Sequence, residues 1–358
     1  EGGTVRSLCK ALDVVRDAIP SDPTFGPSSD SMRAKLEQGI IAPCLEGIYG
    51  GKIRGNYGGH QESVLVAALA SGDRQEIDRA VDWVLNQTGE ATARKEMLTS
   101  FDDYIFRDRA AHAEGVNFAL DNLHFREGIG WESSPSYNSG WVGRMTTIAR
   151  YLERQGVSIW DRPKLRRMWR WAVEMTCLDR FVPAIGDAGS AEGGLVQLSR
   201  STLRAAYART RDPFVGELLR SYGDGFDTFD SLFEEVPEVS PSPEGATELR
   251  RLSTVSHLMG GYGLVLLRSG RGDERTAVSL YYGRAATEHG HFDRLNLELF
   301  GCCRKLIPDM GYPEHASEGE PPAIWTKNTA SHNTVVVDER RQDTQTPGRL
   351  IHFASSDG

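Results

Sequence analysis

The chain has 358 residues, with 41 Lys and Arg against 50 Asp and Glu, a formal charge of −9 that excludes a uniformly basic nucleic-acid binder. Hydrophobic residues make up 39% and charged residues 25%, a globular composition with mass enough for two cores, so wholesale disorder is excluded as well. The longest apolar run, Val64 to Ala70, is far shorter than the roughly 20 residues that cross a bilayer, and no membrane span is expected.

The chain begins at Glu1 without an initiator Met or a charged-then-apolar leader, so any targeting peptide is expected to have been removed. Five cysteines, Cys9, Cys44, Cys177, Cys302 and Cys303, form no CxxC pair and are odd in number, which argues against a disulfide framework and a cysteine zinc site.

The first 222 residues read as successive helices. Gln61 to Ala70, Gln75 to Leu85 and Arg109 to Leu120 carry helical patterning, and from Gly140 to Gly156 the residues Trp141, Met145, Ile148 and Leu152 form one 3.6-residue stripe. The next helix is expected to start with Asp161 as cap and Pro163 in its first turn, with Leu165, Met168, Trp169, Ala172 and Val173 on one side. Short connections between such helices predict an array of hairpins. From 223 to 249 the texture changes to Pro, Ser and Gly, with eight acids and no Lys or Arg between 224 and 248, and this stretch reads as a linker. Nearly all the net charge resides there, which leaves the flanking parts almost neutral.

Beyond it period-2 alternation takes over. Val278, Leu280 and Tyr282 alternate with Ser279 and Tyr281, and Leu295, Leu297 and Leu299 with Asn296 and Glu298. With the runs Gly263 to Leu267 and Val335 to Val337, about seven strands are expected. The patterning reaches the last residues without closing, which predicts an incomplete sandwich.

Three clusters could carry chemistry. Glu288-His289-Gly290-His291-Phe292-Asp293, Pro308-Asp309-Met310-Gly311-Tyr312 and Ser331-His332-Asn333-Thr334 through Asp338 supply His and Asp side chains suited to zinc. On a single strand His289 and His291 would share a face. By residue type alone, three such histidines are more often surface or core residues than ligands. In the helical half, Glu127-Gly128 precedes Glu132-Ser-Ser-Pro-Ser-Tyr137-Asn138, and Gly55-Asn56-Tyr57-Gly58-Gly59-His60-Gln61 opens a helix. Pro135 would aim the Tyr137 phenol from a loop instead of leaving it on the core stripe.

In this order and spacing, the HGH, PDxGY, HNT and SPSY runs resemble the heparinase II/III-like polysaccharide lyases. The resemblance spans positions 55 to 338 and implies a multidomain α+β architecture. An N-terminal (α/α) toroid over 1–222 and a linker over 223–249 would precede an antiparallel β-sandwich over 250–358, with the active site in the cleft between toroid and sandwich. It implies Tyr137 as catalytic acid, His289 at the active site, Asn56 as neutraliser of the substrate carboxylate with His60 beside it, and one structural zinc held by His291, Asp309 and His332. Val182 to Asp187 resembles a loop near the family's cleft and receives no role beyond structure.

The implied reaction is β-elimination on a uronate polymer, alginate or a glycosaminoglycan such as heparan sulfate. The proton at C5 is removed and the oxygen at C4 expelled, so the carboxylate must be neutralised and the enolate-like species met by preplaced donors. Tyr137 could serve as acid and base in a syn elimination, whereas His289 or His60 would be the base in an anti elimination. Arg54, Arg126 and Arg284 are the expected substrate cations, with Lys52 and Arg144 also near the motifs. A secreted or periplasmic location is expected. Two other readings are a glycoside hydrolase, for which Glu132 and Asp187 are available carboxylates, and a non-catalytic glycan-binding protein. No GxGxxG, phosphate-loop, HExxH or GxSxG pattern supports a competing chemistry.

Overall fold

The computed structural model describes residues 2–15, 18–24, 26–50, 53, 58–86, 115–189, 196–223, 238–284, 289–312, 319–342 and 346–355. The chain divides into two compact units, the first comprising 1–122 with 144–159 and the second 123–143 with 160–358. This division separates the chain differently from a helical part, a linker and a strand part, because the segment leading to Tyr137 groups with the strands.

In the first unit, helices α1 (Gly2–Val15), α3 (Ala42–Tyr49) and α5 (Arg74–Leu85) pack around α4 (Gly59–Ser71), with α2 (Ser29–Leu36) joined to α3 through a wider turn. Helix α4 is buried almost all round through Val64, Leu65, Val66, Ala67, Ala68 and Ala70, which explains an apolar run that lacks an amphipathic stripe. Arg6 of α1 donates to the Gly59 carbonyl at 2.7 Å and to Ser63 Oγ at 2.9 Å, so a cation anchors the start of α4. The carboxylate of Asp73 accepts from Gln75 N–H at 2.8 Å and caps α5.

Helix α6 (Pro135–Arg154) crosses the division between 143 and 144. It begins five residues earlier than the apolar stripe indicates, because Pro135 fits a first helical turn, where its missing N–H costs nothing. Tyr137 therefore stands in the first turn of a helix and not on a loop.

The second unit continues with α7 (Pro163–Met168), α8 (Trp171–Glu174), α9 (Arg200–Thr210), α10 (Pro213–Ser221) and α11 (Pro243–Thr254). Arg162 occupies the cap position of α7, while Asp161 pairs with Arg166 at 2.8 Å. Helix α11 begins within the stretch 223–249 that composition assigns to a linker. Ser242 accepts from Gly245 N–H at its start, and Leu252 is fully buried. Two of the acids there are structural or helix-terminal: Glu248 pairs with Arg170 at 2.8 Å, and Glu244 sits in the first turn, where the helix dipole favours it.

Arg170 also reaches both Asp212 oxygens, at 2.9 and 3.0 Å, and its guanidinium lies 4.7 Å from the Phe214 ring centroid. Asp212 in turn caps α10 by accepting from Phe214 N–H and Val215 N–H. One buried carboxylate thus closes a helix end and neutralises a cation.

Five strands follow in one antiparallel sheet of order β1 to β5: β1 (His257–Met259), β2 (Leu264–Ser269), β3 (Thr276–Tyr281), β4 (Asn296–Gly301) and β5 (Arg304–Ile307). A short helix, α12 (Pro321–Thr326), comes after them. One sheet face carries Leu264, Leu266, Ala277, Tyr281 and Phe300, all buried, together with Ser279, Asn296 and Glu298. On the other face Val265, Leu280 and Leu297 stand in register, as do Leu267, Val278 and Leu299, and this face too is apolar although Leu267 and Leu297 are exposed. Apolar residues on both faces depart from the apolar-in, polar-out alternation of a sheet with one solvated face.

Val335 to Val337, expected as a strand, is exposed and makes only an isolated bridge from Val337 to Arg340; five strands, not seven, occur among the described residues. Arg268 of β2 joins the sheet to the helices, donating to the carbonyls of Thr176 at 2.8 Å, Val255 at 2.6 Å and Leu252 at 3.2 Å, where helix ends leave acceptors without partners.

Asp212→Ala should cost about 3 kcal/mol in urea unfolding, because it strands a buried arginine and removes a helix cap. Asp212→Asn, which keeps an acceptor for the cap, should lose clearly less; equal losses would show that the ion pair with Arg170 alone matters.

Candidate active site

The segment before α6 is held rigidly. Asn138 Nδ2 donates to the carbonyls of Glu132 at 2.7 Å and Ser134 at 3.0 Å, folding the Ser-Ser-Pro-Ser stretch back on itself. Trp141 Nε1–H donates to Glu132 Oε1 at 2.7 Å, which commits that buried carboxylate to packing. The hydroxyl of Ser133 donates to the Arg284 carbonyl at 3.0 Å and that of Ser134 to the Asp187 carbonyl at 2.8 Å. Tyr137, half-buried, emerges from this platform.

The phenol ring of Tyr137 lies face to face with the imidazole of His289, with centroids 3.4 Å apart and planes 8° from parallel. His289 is not on a strand. Its φ of +57° is a left-handed conformation uncommon for a residue with a Cβ, and it turns the chain so that His289 and His291 meet one carboxylate.

That carboxylate is Asp187, 6% exposed. Oδ2 lies 3.2 Å from His289 Nδ1 and Oδ1 lies 2.9 Å from His291 Nε2. Its own N–H donates to the His289 carbonyl at 2.8 Å. The neighbouring Gly186 cannot be replaced quietly: its φ is +55°, and a Cβ there would stand 2.3 Å from the same carbonyl. Burial pushes the Asp187 carboxyl up, but the hydrogen bonds of His289 and His291 outweigh it, with help from the charge of Lys327, and hold it at about 2. An ionised carboxylate only accepts, so it draws a proton onto Nδ1 of His289 and Nε2 of His291.

Below this layer lies a buried polar cluster. His332 Nδ1 donates to Asp309 Oδ2 at 2.8 Å, and the His291 and His332 ring centroids are 5.4 Å apart. Asp293, fully buried, accepts from Gly186 N–H at 2.8 Å, and desolvation raises its pKa against the charges of His332 and His291. Burial pushes His332 down, but its bond to Asp309 prevails and raises it. Glu298 of β4 ties the layers together, accepting from Ala184 N–H at 2.6 Å, Lys305 Nζ at 3.2 Å and Asp309 N–H at 3.4 Å.

The three expected zinc ligands, His291, Asp309 and His332, therefore belong to one buried cluster, although no group of three His, Cys, Asp or Glu side chains among the described residues is arranged to hold a metal. The donor chemistry does fit one. His291 Nδ1, His332 Nε2 and Asp293 Oδ1 are buried without a hydrogen-bond partner, and each imidazole carries a carboxylate on its other nitrogen, the arrangement that orients metal-binding histidines.

Of the other expected site residues, Asn56 and Arg54 lie outside the described residues, as does Lys52. His60 is buried in the first turn of α4, edge-on to Trp83 within the first unit. Arg144 also belongs to the first unit, with its side chain against Gly58. Arg126 is well exposed and pairs with Glu127 at 2.9 Å. Arg284 adjoins the Tyr137 platform through its carbonyl, which also accepts from Tyr281 OH at 2.7 Å.

Burial raises the Tyr137 pKa, and neighbouring Tyr312 and Asp187 raise it further. Tyr312 follows Gly311, whose φ of +63° and close approach to the Gly189 carbonyl admit no side chain, and Gly311 N–H donates to Asp309. Sequence reasoning missed Asp187, Asp293, Glu298 and Lys327 as parts of the site. Asp293 was the most accessible of them, since it stands two residues beyond His291 in the same run.

Comparison with known proteins agrees with this architecture. Residues 252–351 match the family described as heparinase II/III-like, C-terminal. An alginate lyase of Stenotrophomonas maltophilia (strain K279a) is 28% identical over 156 residues, covering 38% of this chain and 19% of the relative. Among solved structures, the heparinase III BT4657 gene product superposes with a TM-score of 0.62 at 13% identity, covering 96% of this chain and 45% of that one. A mutant of the heparan sulfate lyase HepC from Pedobacter heparinus gives 0.60 at 14% identity, covering 96% and 46%. The chain thus spans less than half the length of these relatives. Residues 252–351 are thus similar to the heparinase II/III-like C-terminal domain, and the helices and sheet have the fold of the heparinase III structures.

Proposed function

We propose that the chain acts as a polysaccharide lyase that cleaves a uronate-containing polymer by β-elimination. The observation that carries this reading is the Tyr137–His289 ring pair, one half-buried phenol against one imidazole, backed by the Asp187 carboxylate. The relatives named for alginate and heparan sulfate cleavage support the same substrate class. A secreted or periplasmic setting is proposed with it, since such polymers are extracellular.

With its Nδ1–H directed at Asp187, the neutral His289 ring presents Nε2 as the acceptor that takes the proton at C5. The C5–H electrons become the C4–C5 double bond as the C4–O bond breaks, and the Tyr137 hydroxyl gives its proton to the departing oxygen. The proton on His289 then returns to the Tyr137 oxygen, restoring both groups. A raised Tyr137 pKa keeps the phenol protonated until the oxygen needs it, which suits an acid better than a base. Because the two rings are stacked, removal and delivery occur on one face of the sugar, so the elimination is syn. Asn56 is the proposed neutraliser of the uronate carboxylate, and Arg126 and Arg284 are proposed cations for the polymer.

One zinc ion is proposed for the buried cluster, held by His291 and His332 with Asp309 or Asp293 as carboxylate partner. When bound it would supply a fixed positive charge bracing the His-Gly-His loop, and it takes no part in the elimination. The hydrolase reading loses support because Glu132 is committed to Trp141 and Asp187 to two histidines, leaving neither free to act across a glycosidic bond.

Incubation with alginate, heparan sulfate, chondroitin and hyaluronan should generate the ultraviolet absorbance of an unsaturated uronate on at least one polymer. Tyr137→Phe should abolish that signal, leaving the circular dichroism spectrum intact. Reducing ends without absorbance would indicate hydrolysis, retention on a glycan column without product would indicate binding alone, and near-normal turnover in the variant would refute the acid. Elemental analysis should find one zinc per chain, lost in His332→Ala; a metal-free preparation that remains folded and active after chelation would contradict the zinc proposal.

A further inference from the structure

The run Val182-Pro-Ala-Ile-Gly-Asp187 enters the elimination only through the bond of its last carboxylate to His289, yet every backbone N–H from Ala184 to Asp187 is engaged. Ala184 N–H donates to Glu298, Gly186 N–H to Asp293, and Asp187 N–H to the His289 carbonyl. The Asp187 carbonyl accepts from Ser134, the residue just before the Tyr137 helix. The loop is therefore stitched to the Tyr137 segment on one side and to the His-Gly-His run on the other, and its one carboxylate divides its two oxygens between His289 and His291.

We propose that Asp187 is the positioning residue of this site, holding His289 in the tautomer with its proton on Nδ1 and its ring plane against Tyr137. The proposal rests on the lyase reading for its kinetic consequence and on geometry alone for the tautomer. An imidazole with Nδ1–H directed at a carboxylate has one rotational setting and one nitrogen, Nε2, available for proton transfer; without that partner the ring turns and exchanges tautomers, and the base is then in the wrong form for much of the time. The same carboxylate sets His291 with its proton on Nε2, so one side chain coordinates a surface imidazole and a buried one. Replacement by Asn breaks this symmetry, because an amide accepts through one atom and donates through the other, and cannot receive protons from both rings.

The test uses the full chain labelled with ring-15N histidine, observed at about pH 8, where an ordinary histidine is neutral. His289, assigned through His289→Gln, should carry its proton on Nδ1 in the wild type and should shift toward the Nε2–H form in Asp187→Asn. On whichever polymer the wild type cleaves, Asp187→Asn should lower kcat by about 10³-fold or more with KM changed less than about threefold, as expected when an essential imidazole is held in the wrong tautomer. Asp187→Glu, which restores a double acceptor, should recover part of kcat. A wild-type His289 protonated on Nε2 would overturn the proposal without any variant. So would an Asp187→Asn protein that keeps both the tautomer and the turnover. If no polymer is cleaved but the tautomer responds as stated, the positioning role stands and the lyase reading is what fails.

Discussion

Much of the second unit is organised around one buried carboxylate that accepts from two imidazoles at once. Burying an anion is costly unless its oxygens are satisfied, and Asp187 meets that condition only when His289 and His291 both present N–H groups to it. The bond therefore fixes three things together: the ionisation of Asp187, the tautomers of the two rings, and the course of the backbone at His289, which takes a left-handed conformation to reach it. Gly186 is the corresponding concession on the facing loop, where only a residue without a side chain can pass the His289 carbonyl.

A layer of polar groups on the packed side of β4 supports this arrangement. Asn296 accepts from Asn333 N–H at 2.9 Å and so aligns the segment that bears His332, while Glu298 holds the Ala184 end of one loop and the Asp309 end of another. A sheet face otherwise lined by Tyr281, Leu266 and Phe300 would be expected to bury only apolar groups. The buried acids and amides there are explained by what they orient. They convert a strand, which is rigid, into a template for loops, which are not.

The order of helices then strands was legible from periodicity, since α4, α5 and β2 to β4 carry their patterns locally. The pairing of Tyr137 with His289 could be anticipated only through motif resemblance, because 152 positions separate them and no spacing rule relates them. Asp187 was legible as a member of a recognisable run but not as a partner of His289 and His291, for the same reason: a side chain that matters through distant partners leaves no local signature. Composition misled at 243–249, where prolines and acids read as part of a linker, yet Pro243 starts a helix and Glu248 answers Arg170. It misled again at Val335 to Val337, where the β-branched residues pair with no strand among the described residues, because strand preference is realised only through cross-strand contacts.

In the proposed elimination Tyr137 and His289 work on one face of the sugar. The C5 epimers of uronate polymers separate this from the alternative, because the C5 proton and the C4 oxygen lie on the same side of the ring in mannuronate and glucuronate and on opposite sides in guluronate and iduronate. The direct measurement is the initial rate of unsaturated-uronate absorbance on polymannuronate and glucuronate polymers against polyguluronate and iduronate-rich chains. The stacked pair predicts turnover confined to members of the first group; turnover confined to the second would place acid and base on opposite faces and contradict it.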